Sequence, residues 1–187
     1  MFNMNIKDGM HVVGIDDAPH KRGNLTTEIF FIFCSGAFLE KIDHRTIEVD
    51  GLNSTEVVIN ALQSVKGQFQ LIATHGITTG GFNMLDIEKI STTLKVPIIS
   101  VTENQPRGNF LEAIKNLPEY EKRKSLAENA GTLYSYITPI GSKPVHFYTK
   151  GIEKELAIQF LKKFALRSRL PEQLLLAHKI ASGWTLK

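Results

Sequence analysis

A mixed α/β fold, five strands in one sheet with helices on both faces, is what this 187-residue sequence predicts. Two observations carry that reading. The first third is a succession of short apolar runs broken by Gly, Asp and Pro, as in strands joined by turns. Beyond residue 54, apolar residues at helical spacing alternate with apolar runs too short for helices, as in βαβ units.

The elements follow in order. Residues 11–15 form a first strand, ended by Asp16, Asp17, Ala18 and Pro19. A loop at 21–24 leads to a second strand at 27–35, rich in Ile and Phe and closed by Gly36. Residues 38–49 alternate imperfectly, with Phe38, Ile42, Ile47 and Val49 among Glu40, Asp43, Arg45 and Glu48, which predicts a hairpin partner. The period then changes. Val57, Val58, Ala61, Leu62 and Val65 recur at helical spacing over 54–65, with Asn53 or Ser54 as N-cap. A strand at 68–74, a glycine-rich stretch from His75 to Asn83, a helix at 84–94 and a strand at 96–101 complete the parallel part. Helices at 109–117 and 119–129, short strands at 132–138 and 144–148, and amphipathic helices at 151–166 and 171–183 close the chain, with Pro171 at a favourable first helical position. A right-handed crossover after the third strand, laid beside the first, gives the order 3-2-1-4-5. The strand order then reverses between strands one and four, where open α/β sheets hold ligands. Asp16 and His75 stand at those two tips.

Apolar residues are 42% of the chain and charged residues 22%, which excludes disordered and collagen-like classes. No linker divides the chain, so residues 1–187 read as one domain. A net charge of +3 permits nucleic-acid contact without predicting it. The single cysteine, Cys34, excludes an intrachain disulfide and reads as a buried small hydrophobe in a reducing compartment. The apolar run 29–34 is far short of the roughly 20 residues that cross a bilayer, and the N-terminus lacks a signal-peptide pattern. The expectation is a cytoplasmic protein without membrane contact.

Several residues invite chemistry, each with a plainer reading beside it. Asp16 and Asp17 at a strand end can hold a divalent cation; Asp and Pro also make ordinary turns. His75 can ligate a metal or move a proton, or simply end a strand. The loop from Gly76 to Asn83 can bring backbone N–H groups to a phosphate, or be only a turn; it lacks the Lys-Ser/Thr of a P-loop. Glu172 suits a helix N-terminus, and His178 fits a core histidine among leucines. Lys162, Lys163, Arg167 and Arg169 can track a phosphate backbone or solvate a helix end. Neither a Ser-His-Asp triad nor a zinc-type spacing is present.

Four segments carry a resemblance. They are Val13-Gly14-Ile15-Asp16-Asp17, the stretch from Val49 to Thr55, the stretch from His75 to Ile87, and the stretch from Leu170 to Ala181. In this order, over nearly the whole chain, they resemble the archaeal domain of unknown function 99 (UPF0215) family, itself remotely similar to endonuclease V. The resemblance implies a ribonuclease-H-like fold and a nuclease using Mg²⁺ or Mn²⁺ on DNA or RNA. It implies Asp16, His75 and His178 as catalytic residues, with Asp16 and His75 on the metal. Asp17, Asn53, Gly80, Gly81, Asn83 and Glu172 lie in or beside the same motifs and are the candidate substrate contacts. The chain departs from both patterns: His75 stands where an Asp is usual, Asn53 where an acidic residue is usual, and Leu175 where an arginine is usual. Loss of two carboxylates shifts preference from Mg²⁺ toward Mn²⁺ or Zn²⁺. The alternative is an inactive nucleic-acid-binding or protein-interaction module on the same scaffold.

Overall fold

The computed structural model describes residues 2, 4–105 and 110–184. Its strands are β1 (His11–Asp17), β2 (Thr26–Ser35), β3 (Phe38–Glu48), β4 (Leu71–His75), β5 (Thr78–Thr79), β6 (Asn83–Met84), β7 (Ile98–Thr102), β8 (Tyr134–Tyr136) and β9 (Val145–Lys150). Its helices are α1 (Ser54–Gln63), α2 (Ile87–Leu94), α3 (Phe110–Ile114), α4 (Tyr120–Asn129), α5 (Lys154–Phe164) and α6 (Glu172–Gly183).

The main sheet runs β3-β2-β1-β4-β7-β9-β8. Its first five members stand in the expected order, with β1–β4 and β4–β7 parallel and β1–β2 and β2–β3 antiparallel. The sheet has seven strands rather than five. The two short late runs join it antiparallel, β9 along the outer edge of β7 and β8 beyond it. They cover a sheet edge that would otherwise expose unpaired backbone groups, and Val145 and Phe147 of β9 are fully buried. The separate pair β5–β6 is a two-residue hairpin within the glycine-rich stretch.

Period-two alternation divides the core. Val13, Ile15, Ile29, Phe31, Ile47 and Ile72 pack against α1 and α2 on one face. Val12, Leu71, Ala73, Ile99 and Val101 meet α5 and Leu174 of α6 on the other. Phe30, Ile32 and Cys34 meet Ala177 and Ala181 of α6 there too. Burial pushes the Cys34 thiol up to about 12, so it is an inert core group, as expected.

Helix boundaries are tighter than the periodicity suggests. The helix expected at 84–94 begins at Ile87, because Asp86 caps it by accepting from Lys89 N at 2.8 Å. The expected start of the 109–117 helix, Asn109, lies outside the described residues, and α3 ends at Ile114. Pro171 occupies the N-cap position of α6 instead of the expected first helical position, which falls to Glu172.

One contact seats α6. A Cβ on Gly14 would lie 2.3 Å from the backbone oxygen of Gln173, so only glycine lets the first turn of α6 rest on β1. Gln173, itself fully buried, donates its amide to Gly36 O at 2.5 Å. Together these fix the start of the helix that carries His178.

Candidate metal centre

Parallel pairing of β1 and β4 sets Ile15 opposite Thr74, so the next residues, Asp16 and His75, share the α6 face at the strand tips. His178 reaches the same point from α6. Asp16 is 5% exposed. Its Oδ2 accepts from His75 Nδ1 at 3.0 Å and from His178 Nδ1 at 2.9 Å. An ionised carboxylate only accepts, so both Nδ1 atoms carry a proton in this arrangement. The imidazole rings stand edge to face, with centroids 5.2 Å apart. Burial alone would lower the His75 pKa; the hydrogen bond and charge of Asp16, with Glu103 and Asp17 behind it, reverse this and leave it raised.

One ligand atom from each of Asp16, His75 and His178 lies within 4.8 Å of the others. The donor set is one carboxylate and two imidazoles. That chemistry fits a divalent transition ion, for which imidazole is a good ligand, better than Mg²⁺, which takes oxygen ligands.

The remaining candidates are placed differently. Asp17 points to the opposite face, as adjacent strand residues must, and accepts from the Gly80 backbone. Burial, and then the Asp16 charge, push its pKa up to about 6, against lowering by Gly80, His20 and His75. Asp17 is therefore no ligand of the Asp16 cluster. The glycine-rich stretch is not an open phosphate cradle. The Gly80 N–H meets Asp17, and Phe82 N donates to Asp50 Oδ1 at 2.8 Å. Gly80 and Gly81 both take positive φ, and a Cβ on Gly81 would lie 2.3 Å from Asp50 Oδ1.

Asn53 and Asn83 hold loops together. Fully buried Asn83 donates to Glu48 O and to Asn53 Oδ1, each at 2.8 Å, and accepts from Ser54 N at 3.0 Å. Asn53 sits at the N-cap of α1 without a side-chain cap bond; its Oδ1 also accepts from Glu48 N. Both side chains serve protein partners. Glu172 too meets a protein partner: it is 2% exposed and accepts from the backbone N–H and guanidinium of Arg167.

The basic cluster near α5 and α6 is mostly neutralised. Lys163 pairs with Asp8, Arg167 with Glu172, and Arg169 with Glu103. Only Lys162 of those four lacks an ion pair among the described residues. That placement answers the expectation of a phosphate-tracking patch with a set of internal clamps.

Arg123 escaped sequence reasoning because it sits in the polar run of α4, where no pattern marks it. It is 2% exposed and donates to the backbone oxygens of Pro118, Gly51, Phe82 and Asp50. It pins α4 to the loops that carry Asn53 and Gly81.

Comparisons with known proteins now bear on this geometry. The profile of the family described as Endonuclease dU matches residues 8–185. A UPF0215 protein of Methanopyrus kandleri is 33% identical over 184 residues, covering 96% of this chain and 93% of its own. One of Methanothermobacter thermautotrophicus is 31% identical over 187 residues, covering 97% and 90%. Among solved structures, a protein of unknown function from Archaeoglobus fulgidus superposes with TM-score 0.82 at 27% identity, over 92% of this chain and 96% of its own. Endonuclease V of Ciona intestinalis, in complex with a 24mer DNA containing an inosine followed by a ribo-adenosine, superposes with TM-score 0.61 at 15% identity, over 92% and 84%. That likeness establishes a shared fold.

Proposed function

This chain belongs to the endonuclease dU family, and from that premise we propose that it is a divalent-metal-dependent endonuclease acting on DNA at deoxyuridine. The single observation that supports the reading most is the convergence of His75 and His178 on one oxygen of Asp16. A buried carboxylate shared by two imidazoles at a strand tip, with one pKa raised by it, is the kind of cluster that functional sites hold. The family's description supplies the substrate class, and the endonuclease V fold supports nucleic acid as the partner.

Asp16, His75 and His178 would hold the ion. When bound, the ion would supply charge neutralisation at the phosphoryl group and a more acidic water. The protein's own groups set the stage. Asp16 anchors both rings and fixes their orientation. His178 is half-exposed, so its outer edge can meet a phosphodiester that lies across α6. Loading an ion would require each imidazole to present an unprotonated ring nitrogen, which a neutral ring does by carrying its proton on the other nitrogen.

A second reading, an inactive binder, is favoured by the neutral amide of Asn53 and its engagement with Asn83. One experiment separates the two. Wild type and Asp16→Asn are incubated with a deoxyuridine-bearing oligonucleotide and Mn²⁺, Mg²⁺ or EDTA, and Mn²⁺ binding is measured by calorimetry. The nuclease reading expects cleavage with Mn²⁺ exceeding that with Mg²⁺, measurable Mn²⁺ binding, and loss of both in Asp16→Asn. Oligonucleotide binding with neither Mn²⁺ uptake nor cleavage establishes the binder instead.

A further inference from the structure

The sheet face that bears Asp16 continues outward to an aromatic surface that the metal centre does not use. Asp16 pairs with Phe30 across β1–β2, and Phe30 pairs with His44 across β2–β3. Residues paired across neighbouring strands point to one face, so the three form a row. His44 therefore lies about two strand spacings, roughly 10 Å, from Asp16. The C-cap of α6 adds Trp184 to the row's end. Its ring lies 5.4 Å from the Phe30 ring and 5.1 Å from the His44 ring, centroid to centroid.

Phe30 is 2% exposed, whereas Trp184 is 39% exposed and the His44 side chain 47%. Two aromatic rings thus cover a third and keep much of their own outer surface in water. The His44 ring is fixed, not loose: Nδ1 donates to Glu28 Oε2 at 2.8 Å, and Thr46 holds the other oxygen of Glu28 at 2.8 Å. A rigid, exposed aromatic pair loses little entropy when a flat ligand stacks on it.

We propose that His44 and Trp184 form a stacking platform for an unpaired base of the DNA strand whose backbone crosses Asp16. The inference rests on the nuclease reading for its ligand, and on its own geometry for the site. The platform's distance corresponds to about three stacked nucleotides at 3.4 Å each, so the base it takes lies about three positions from the reacting one. Every base has a π-face, so the platform adds affinity without sequence preference. DNA is favoured over a protein partner because the platform ends the cross-strand row that begins at Asp16, in the proposed phosphodiester site.

The chain offers a direct probe, since Trp184 is the only tryptophan. The full chain is titrated in EDTA with single-stranded oligodeoxythymidine while intrinsic fluorescence is read, and affinity is measured separately by anisotropy of a labelled strand. The proposal expects quenching on binding, and an affinity loss on the order of 10- to 100-fold in Trp184→Ala. It expects most affinity to return in Trp184→Phe and a partial loss in His44→Ala, with circular dichroism confirming folding. A role limited to covering Phe30 would lower the melting temperature of Trp184→Ala without changing affinity per folded molecule. Strand binding without quenching, at equal affinity in folded Trp184→Ala, overturns the platform. Cleavage assayed in parallel keeps the two readings apart: cleavage without quenching removes the platform alone, and quenching without cleavage removes the catalytic reading alone.

Discussion

Substituting Gly14 tests the link between packing and site, because it touches no candidate ligand. In Gly14→Ala the new methyl would sit 2.3 Å from Gln173 O and 2.7 Å from its carbonyl carbon. Those atoms are backbone and cannot swing aside, so α6 must retreat by about 1 Å to restore an ordinary contact. Overpacking of this kind costs about 1–3 kcal/mol. The retreat also moves His178, stretching its 2.9 Å bond to Asp16 beyond hydrogen-bond range. A misplacement of about 1 Å in a catalytic group costs on the order of 100-fold in rate. The assays are urea denaturation, Mn²⁺ calorimetry and cleavage under single-turnover conditions. Gly183→Ala is the matched control: it lies at the other end of α6 with nothing within 4 Å of its added Cβ, and should leave all three near wild type. Wild-type stability together with wild-type Mn²⁺ affinity in Gly14→Ala would refute the claim that this glycine seats the helix.

Asp17→Asn should stabilise the metal-free protein at high pH. The Asp17 pKa rises from 3.8 to about 6, so the folded chain binds this proton more tightly than the unfolded chain. Stability tied to Asp17 is intact below about pH 4 and is lost as pH climbs through about 6, by up to about 3 kcal/mol. Urea unfolding in EDTA should show the variant ahead at pH 8 and level with wild type at pH 4; a gap independent of pH contradicts the assignment. Arg123→Gln should destabilise by about 3–5 kcal/mol, since one amide cannot serve four carbonyls, and Arg123→Lys should recover little of the loss. An unchanged melting temperature in Arg123→Gln would deny the pinning role.

The sheet order was legible because each strand carries its own apolar period and because crossover handedness leaves few arrangements. Asp16 and His75 were legible for the same reason: a parallel pair that begins in register must end in register. The outer strands β8 and β9 were visible as runs but not as neighbours, since an antiparallel partner that begins 43 residues after β7 ends leaves no local sign of where it docks. His178 was ambiguous to periodicity. Ala177 beside it is fully buried, and only the seating of α6 at Gly14 turns the histidine toward Asp16 instead of into the core.

The polar residues were the least legible, and the reason is chemical. An Asn or Glu presents the same groups to a substrate as to a backbone, so the sequence does not distinguish Asn83 or Glu172 as ligand contacts from their observed role as clamps. Their partners decide, and those partners lie far away along the chain: Asn83 binds Glu48 and Asn53, and Arg123 binds Gly51 and Phe82. His75 runs the other way. As a departure from an acidic position it reads as a lost carboxylate charge, and its Nδ1 stands 3.0 Å from Asp16 Oδ2 and within ligand distance of His178. Exchanging an oxygen donor for a nitrogen donor at a retained position changes which ion is favoured without emptying the position. On the proposed reading, the departure is thus a change of metal preference, and the comparison of Mn²⁺ with Mg²⁺ bears on it directly: stronger binding of Mg²⁺ than Mn²⁺ would mean that the imidazoles face Asp16 as hydrogen-bond donors only.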